Sequence, residues 1–163
     1  NDRAITGMTI HVVIISGTVF GAAEDVAHHA AELLTDAGLQ VTYNPRISHA
    51  QLLALQPDAL LSVTSTTGMG ELPENLQPLF AQLRESPPQW HGLLGGVIGL
   101  GDACYGEDFC AGAEMMRELY EELGVVELQE ILRLDASETV SPEQDAEPWL
   151  AEFAESLKAA VVQ

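Results

Sequence analysis

Short apolar runs alternate with longer amphipathic stretches along the whole chain. Thr9–Ile15 (TIHVVII) is almost continuously apolar, which predicts a strand buried on both faces. Ala22–Ala37 is rich in Ala and Leu at helical spacing, with Gly38 set to end the helix. Leu39–Tyr43 predicts a second strand, and His49–Leu55 a short helix closed before Pro57. Ala59–Thr64 and Leu94–Leu100 predict the third and fourth strands. Between them a helix is predicted from Pro73 or Glu74 to Glu85, with Pro78 delaying its start or kinking it. Ala111–Leu123 predicts a helix stopped by Gly124, and Val126–Leu134 a fifth strand. Glu138–Asp145 is polar and reads as a loop. Pro148 suits the first turn of a last helix that ends near Ala160.

Strands that alternate with helices imply an α/β fold, a parallel sheet covered by helices on both faces. In such sheets ligands bind beyond the carboxyl ends of the strands. The informative residues should therefore follow Ile15, Thr64 and Leu100. Gly, Ser, Thr and Asp cluster at these three places.

Composition narrows the function. The chain has 163 residues, 47% of them hydrophobic, which suits one domain with a real core and excludes disorder. Residues 1–7 precede Met8 without signal-peptide architecture and read as a vector remnant, leaving 8–163 as the domain. The net charge is −19, and nineteen of the 25 acids lie from Glu71 onward. Such a surface repels phosphate backbones and anionic lipid and favours a basic partner. No apolar run reaches the roughly 20 residues of a membrane span. Cys104 and Cys110 are too few for a structural zinc site and are not spaced as CxxC, so no metal is expected. The expectation is a soluble, monomeric, cytoplasmic protein.

The first loop, Ser16-Gly17-Thr18-Val19-Phe20-Gly21, lies between a strand and a helix. Successive backbone N–H groups at a helix start bind an anion without a cation. There is no lysine, so this is not a Walker loop, and the spacing is not the dinucleotide fingerprint. An ordinary strand-to-helix turn explains it equally well. The second loop, Thr64-Ser65-Thr66-Thr67-Gly68-Met69-Gly70-Glu71, offers four hydroxyls and then two glycines around an apolar side chain. The third runs from Gly99-Leu100-Gly101-Asp102 through Cys104 and Tyr105 to Phe109 and Cys110. A tyrosine there is placed to stack on a planar ring. Phe109 suits a role in seating the loop, and Cys110 reads as a small buried hydrophobe.

Together these segments resemble the flavodoxin family, in its short-chain, small bacterial form. SGTVFGAAEDVA is similar to the family's FMN phosphate loop, and TSTTGMGELPENLQPLF to its second flavin loop and following helix. GLGDACYGEDFCAGAEMMRELYEELG is similar to the third loop with its stacking tyrosine. The resemblance implies a three-layer α/β/α sandwich with a five-stranded sheet of order 2-1-3-4-5, the usual setting for FMN at the β1/β3 switch point. It implies phosphate contacts from Gly17, Thr18, Val19, Phe20 and Gly21, with Ser65 also reaching the phosphate. It puts Thr66, Thr67, Gly68 and Met69 on the inner side of the ring, Gly101 and Asp102 at the pyrimidine edge, and Tyr105 on the outer face. Ser16, Gly70, Phe109 and Cys110 complete the expected cofactor set. Phe20, Ala22 and Ala23 stand where many members carry hydroxyl or amide side chains, so backbone donors must carry more of the phosphate binding.

The implied function is one-electron transfer at low potential between partner proteins, with a basic flavodoxin reductase as one partner. The peptide at Gly68 is expected to turn toward the flavin nitrogen that gains a proton on one-electron reduction, a rotation that glycine permits. The loops offer no catalytic base or nucleophile. An FMN-dependent NAD(P)H:quinone-type reductase is the alternative on the same fold.

Overall fold

The computed structural model describes residues 9–67, 70–101, 110–135 and 137–162. The elements follow the predicted alternation: β1 (His11–Gly17), α1 (Ala22–Asp36), β2 (Gln40–Tyr43), α2 (His49–Leu55), β3 (Ala59–Ser65), α3 (Gln77–Glu85), β4 (Leu94–Gly101) and α4 (Ala111–Leu123). They continue with β5 (Val126–Glu127), β6 (Leu132–Asp135), the single turn α5 (Pro142–Asp145) and α6 (Glu147–Val162). The sheet order is β2-β1-β3-β4-β5, with β6 also on β4, and every pairing is parallel.

Two apolar layers sandwich this sheet. Val12, Ile14, Leu61 and Ile98 face α1 and α6, meeting Leu34, Phe153 and Leu157. Val13, Ile15, Leu60 and Val97 face the other way, meeting Leu52, Leu83, Met116 and Leu119 of α2, α3 and α4. Side chains alternate in direction along a strand, so an unbroken apolar run supplies both layers at once. That is why β1 is buried along its whole length.

Two predicted elements differ, and a third, α3, takes the late start expected from Pro78. The fifth strand is two pieces, not one: β5 pairs with Leu94 and Gly95, and β6 with Ile98 to Gly101. Between them Gln129 donates to the Trp149 carbonyl at 2.8 Å, and the Trp149 indole donates to the Glu130 carbonyl at 2.8 Å. These bonds to the start of α6 replace strand pairing. The other difference is Pro142–Asp145, which is helical because Ser141 caps it by accepting from the Gln144 amide. Helix α3 begins at Gln77 with Pro78 in its first turn, where a missing N–H costs nothing.

Candidate functional site

Strand register aligns the three loops. Gly17 pairs with Thr64, Ser65 with Leu100, and Gly101 with Asp135. Adjacent strands lie about 4.8 Å apart, so the chain leaves the sheet at three neighbouring points on one edge. From β1 the chain crosses to β2 on one side, and from β3 to β4 on the other. The cleft between β1 and β3 is therefore the topological switch point.

At the first loop, Gly17 is pressed under its neighbours. A Cβ there would lie 2.7 Å from Thr64 Oγ1 and 2.9 Å from Leu76 Cδ2. Gly21 has φ +96° and opens α1 with no side-chain cap. Its amide donates instead to Thr18 Oγ1 at 2.7 Å, which leaves the Thr18 hydroxyl hydrogen free to donate. The Thr18 amide is taken by Asn75 Oδ1 at 3.0 Å, and the Asn75 side-chain amide donates to the Ser16 carbonyl at 3.1 Å. The Ser16 hydroxyl is buried and bonds the Tyr43 hydroxyl at 2.6 Å. Burial raises the Tyr43 phenol above its ordinary pKa, opposed by the bond to Ser16 and reinforced by Glu24 and Asp25. The amides of Val19 and Phe20 meet no acceptor among the described residues. The Phe20 side chain is 97% exposed.

This arrangement fits the phosphate of FMN. Two loop amides and the Thr18 hydroxyl hydrogen have no acceptor among the described residues, and the start of α1 beside them has no side-chain cap. The fit does not need a cation, since a helix start carries partial positive charge.

The second loop is closed on itself. The Thr67 amide donates to the Glu71 carbonyl at 2.9 Å, and the Glu71 amide to Thr67 Oγ1 at 3.0 Å. Gly70, at φ +76°, donates to the Thr67 carbonyl at 2.9 Å. Thr66 Oγ1 accepts from the Gly112 amide at 3.0 Å, which ties this loop to the start of α4. Ser65 ends β3 and is half-buried. Gly68 and Met69 lie outside the described residues, as do Asp102, Tyr105 and Phe109 of the third loop. Gly101 ends β4 beside them.

Cys110 opens α4 in a left-handed conformation, φ 59°, with its side chain fully buried. It packs on Gly99, whose absent Cβ would lie 3.3 Å from the sulfur. Burial pushes the thiol up from 9.0 to about 11, with Arg133 pulling the other way. Folding thus favours the protonated thiol. That contribution is complete below about pH 9 and is lost as pH rises toward 11. Stability should fall by about 1–3 kcal/mol across this window. Denaturant titrations of Cys110→Ala should show a shallower fall, and a slope equal to the wild type's would remove the assignment.

Two residues at the site escape a linear reading. Asn75 and Tyr43 stand 57 and 27 residues from their loop partners Thr18 and Ser16. Asn75 lies among polar neighbours before α3, and Tyr43 looks like any half-buried strand aromatic. Neither has a local signal.

Comparisons with known proteins agree with this geometry. The family model described as Flavodoxin matches residues 14–149. An uncharacterized protein of Pseudomonas aeruginosa is 63% identical over 147 residues, covering 90% of this chain and 98% of that one. Flavodoxin YqcA of Pectobacterium carotovorum is 38% identical over 90% of this chain and 96% of its own length. A solved cysteine-to-alanine mutant of flavodoxin from Pseudomonas aeruginosa superposes with a TM-score of 0.89 at 61% identity, covering 91% of this chain and 99% of that one. The chain belongs to the flavodoxin family of FMN-binding electron carriers.

Proposed function

We propose that Ser16 to Gly21, Ser65 to Gly70, Gly101, Asp102, Tyr105, Phe109 and Cys110 form the FMN site of a low-potential one-electron carrier. The observation that carries this reading is the register by which β1, β3 and β4 end within two residues of one another on the sheet edge. Val19 and Phe20 offer amides to the phosphate. Thr18 offers a hydroxyl, and Thr66 and Thr67 hold the second loop in shape. Ser16 and Cys110 support the site from below rather than facing outward. When bound, FMN supplies the redox chemistry, and the chain binds it, orients it and sets its electrostatic surroundings.

The partner is a basic protein, with a flavodoxin reductase as the natural candidate. Glu71 and Glu74 are exposed beside the second loop, and their charge favours a cationic docking surface. The protein acts as a monomeric cytoplasmic carrier, formed as a single domain over 8–163, rather than as a quinone reductase. Among the described residues the large exposed apolar side chains are Val19, Phe20, Val126 and Val140. Among the described residues no helix is long and apolar enough to cross a membrane.

Titration of the apoprotein with FMN should give a yellow protein with one flavin per chain. Its reduction by a flavodoxin reductase should slow as salt is raised, because screening shortens to about 10 Å at 0.1 M. A colourless protein that ignores FMN would overturn the site. A salt-independent rate would overturn the steering, and rapid NADPH–quinone turnover would favour the reductase.

A further inference from the structure

We propose that Asn75 is a positioning residue that selects FMN over flavins without a phosphate, a role that rests on the phosphate site proposed above. The Asn75 side chain bridges two groups of the first loop, accepting from the Thr18 amide at 3.0 Å and donating to the Ser16 carbonyl at 3.1 Å. These two bonds span Gly17, so they fix the peptide planes on either side of it. By taking up the Thr18 N–H and the Ser16 C=O, Asn75 leaves Val19 and Phe20 as the loop amides without an acceptor among the described residues. An unmade bond at Thr18 would let that amide compete for the phosphate in a different geometry, or let the loop relax.

Asn75 is held in turn by its neighbours. Leu76 is buried against Gly17, and the Leu76 amide donates to the Pro73 carbonyl at 3.0 Å. The turn that follows the second flavin loop thereby reaches across and sets the shape of the first. The side chain of Asn75 is itself exposed, so its removal should disturb the loop without emptying the core.

The readout is the ratio of FMN to riboflavin affinity, measured by flavin fluorescence on apoprotein. Asn75→Ala should weaken FMN binding about tenfold, the loss of one or two hydrogen bonds, and leave riboflavin binding unchanged. Asn75→Asp keeps an acceptor for the Thr18 amide but sets a charge beside the phosphate. Its FMN loss should exceed that of Asn75→Ala and shrink as salt is raised. Gln77→Ala is the control in the same turn, because it removes a 2.8 Å bond to the Leu72 carbonyl that does not involve the phosphate loop. It should leave the ratio at the wild-type value. Equal losses for FMN and riboflavin in Asn75→Ala, or no loss of either, would overturn the proposal. A wild-type protein that binds FMN and riboflavin equally well would instead overturn the phosphate site on which it rests.

Discussion

Gly99→Ala is expected to destabilise the protein by about 3 kcal/mol, near the upper end of what overpacking costs. The reason is the distance between sheet and helix. A Cβ at Gly99 would lie 2.5 Å from the Ala113 Cβ and 3.3 Å from both the Cβ and the sulfur of Cys110. The nearest contact is with a methyl fixed to the backbone, so no rotamer change relieves it. Helix α4 must move away from β4. It cannot do so freely, since the Gly112 amide at its start donates to Thr66 Oγ1 at 3.0 Å, a bond that such a movement would stretch. Thermal melting of the apoprotein should fall by about 6–12 °C for a chain of this size. Adding Ala113→Gly removes the colliding methyl. It should restore most of the loss, short of the roughly 1 kcal/mol that glycine costs inside a helix. A double variant no more stable than Gly99→Ala would place the strain elsewhere.

The strands were readable because each carries its own instruction. TIHVVII, ALLSVT and LGGVIGL are apolar on both alternating faces, and only a sheet covered twice accepts that pattern. The fifth strand failed that reading. Val126–Leu134 contains Gln129 and Glu130, whose bonds to Trp149 draw the chain out of the ladder. A strand propensity cannot register a partner twenty residues ahead. Glu138–Asp145 failed for the opposite reason: Ser141 and Pro142 are helix-start signals, but a single turn is too short for apolar periodicity. The same division holds at the site. Glycines and hydroxyls that follow a strand mark the loops locally. The use made of each group depends on distant residues, as when Asn75 takes the Thr18 amide and Tyr43 takes the Ser16 hydroxyl.

Gly17→Val is expected to abolish FMN binding at micromolar concentrations while leaving a folded, less stable protein. The new side chain meets Thr64 and Leu76 together. Thr64 is fully buried, and its hydroxyl donates to the Ser65 carbonyl at 2.9 Å, so it yields only by giving up that bond. Leu76 has more freedom, and most of the displacement should fall on it. Leu76 follows Asn75 directly, so its movement draws the Asn75 side chain off Thr18 and Ser16. One substitution therefore disturbs both walls of the β1/β3 cleft and the bonds that hold the phosphate loop. An affinity loss of at least about 100-fold corresponds to roughly 2.7 kcal/mol, comparable with a single overpacked position. Far-ultraviolet circular dichroism should keep its α/β character, and equilibrium titration with FMN should show no saturation where the wild type saturates. Wild-type FMN affinity in Gly17→Val would mean that the phosphate does not rest on this loop. It would also exclude the close approach of β1, Thr64 and Leu76 as what shapes the site.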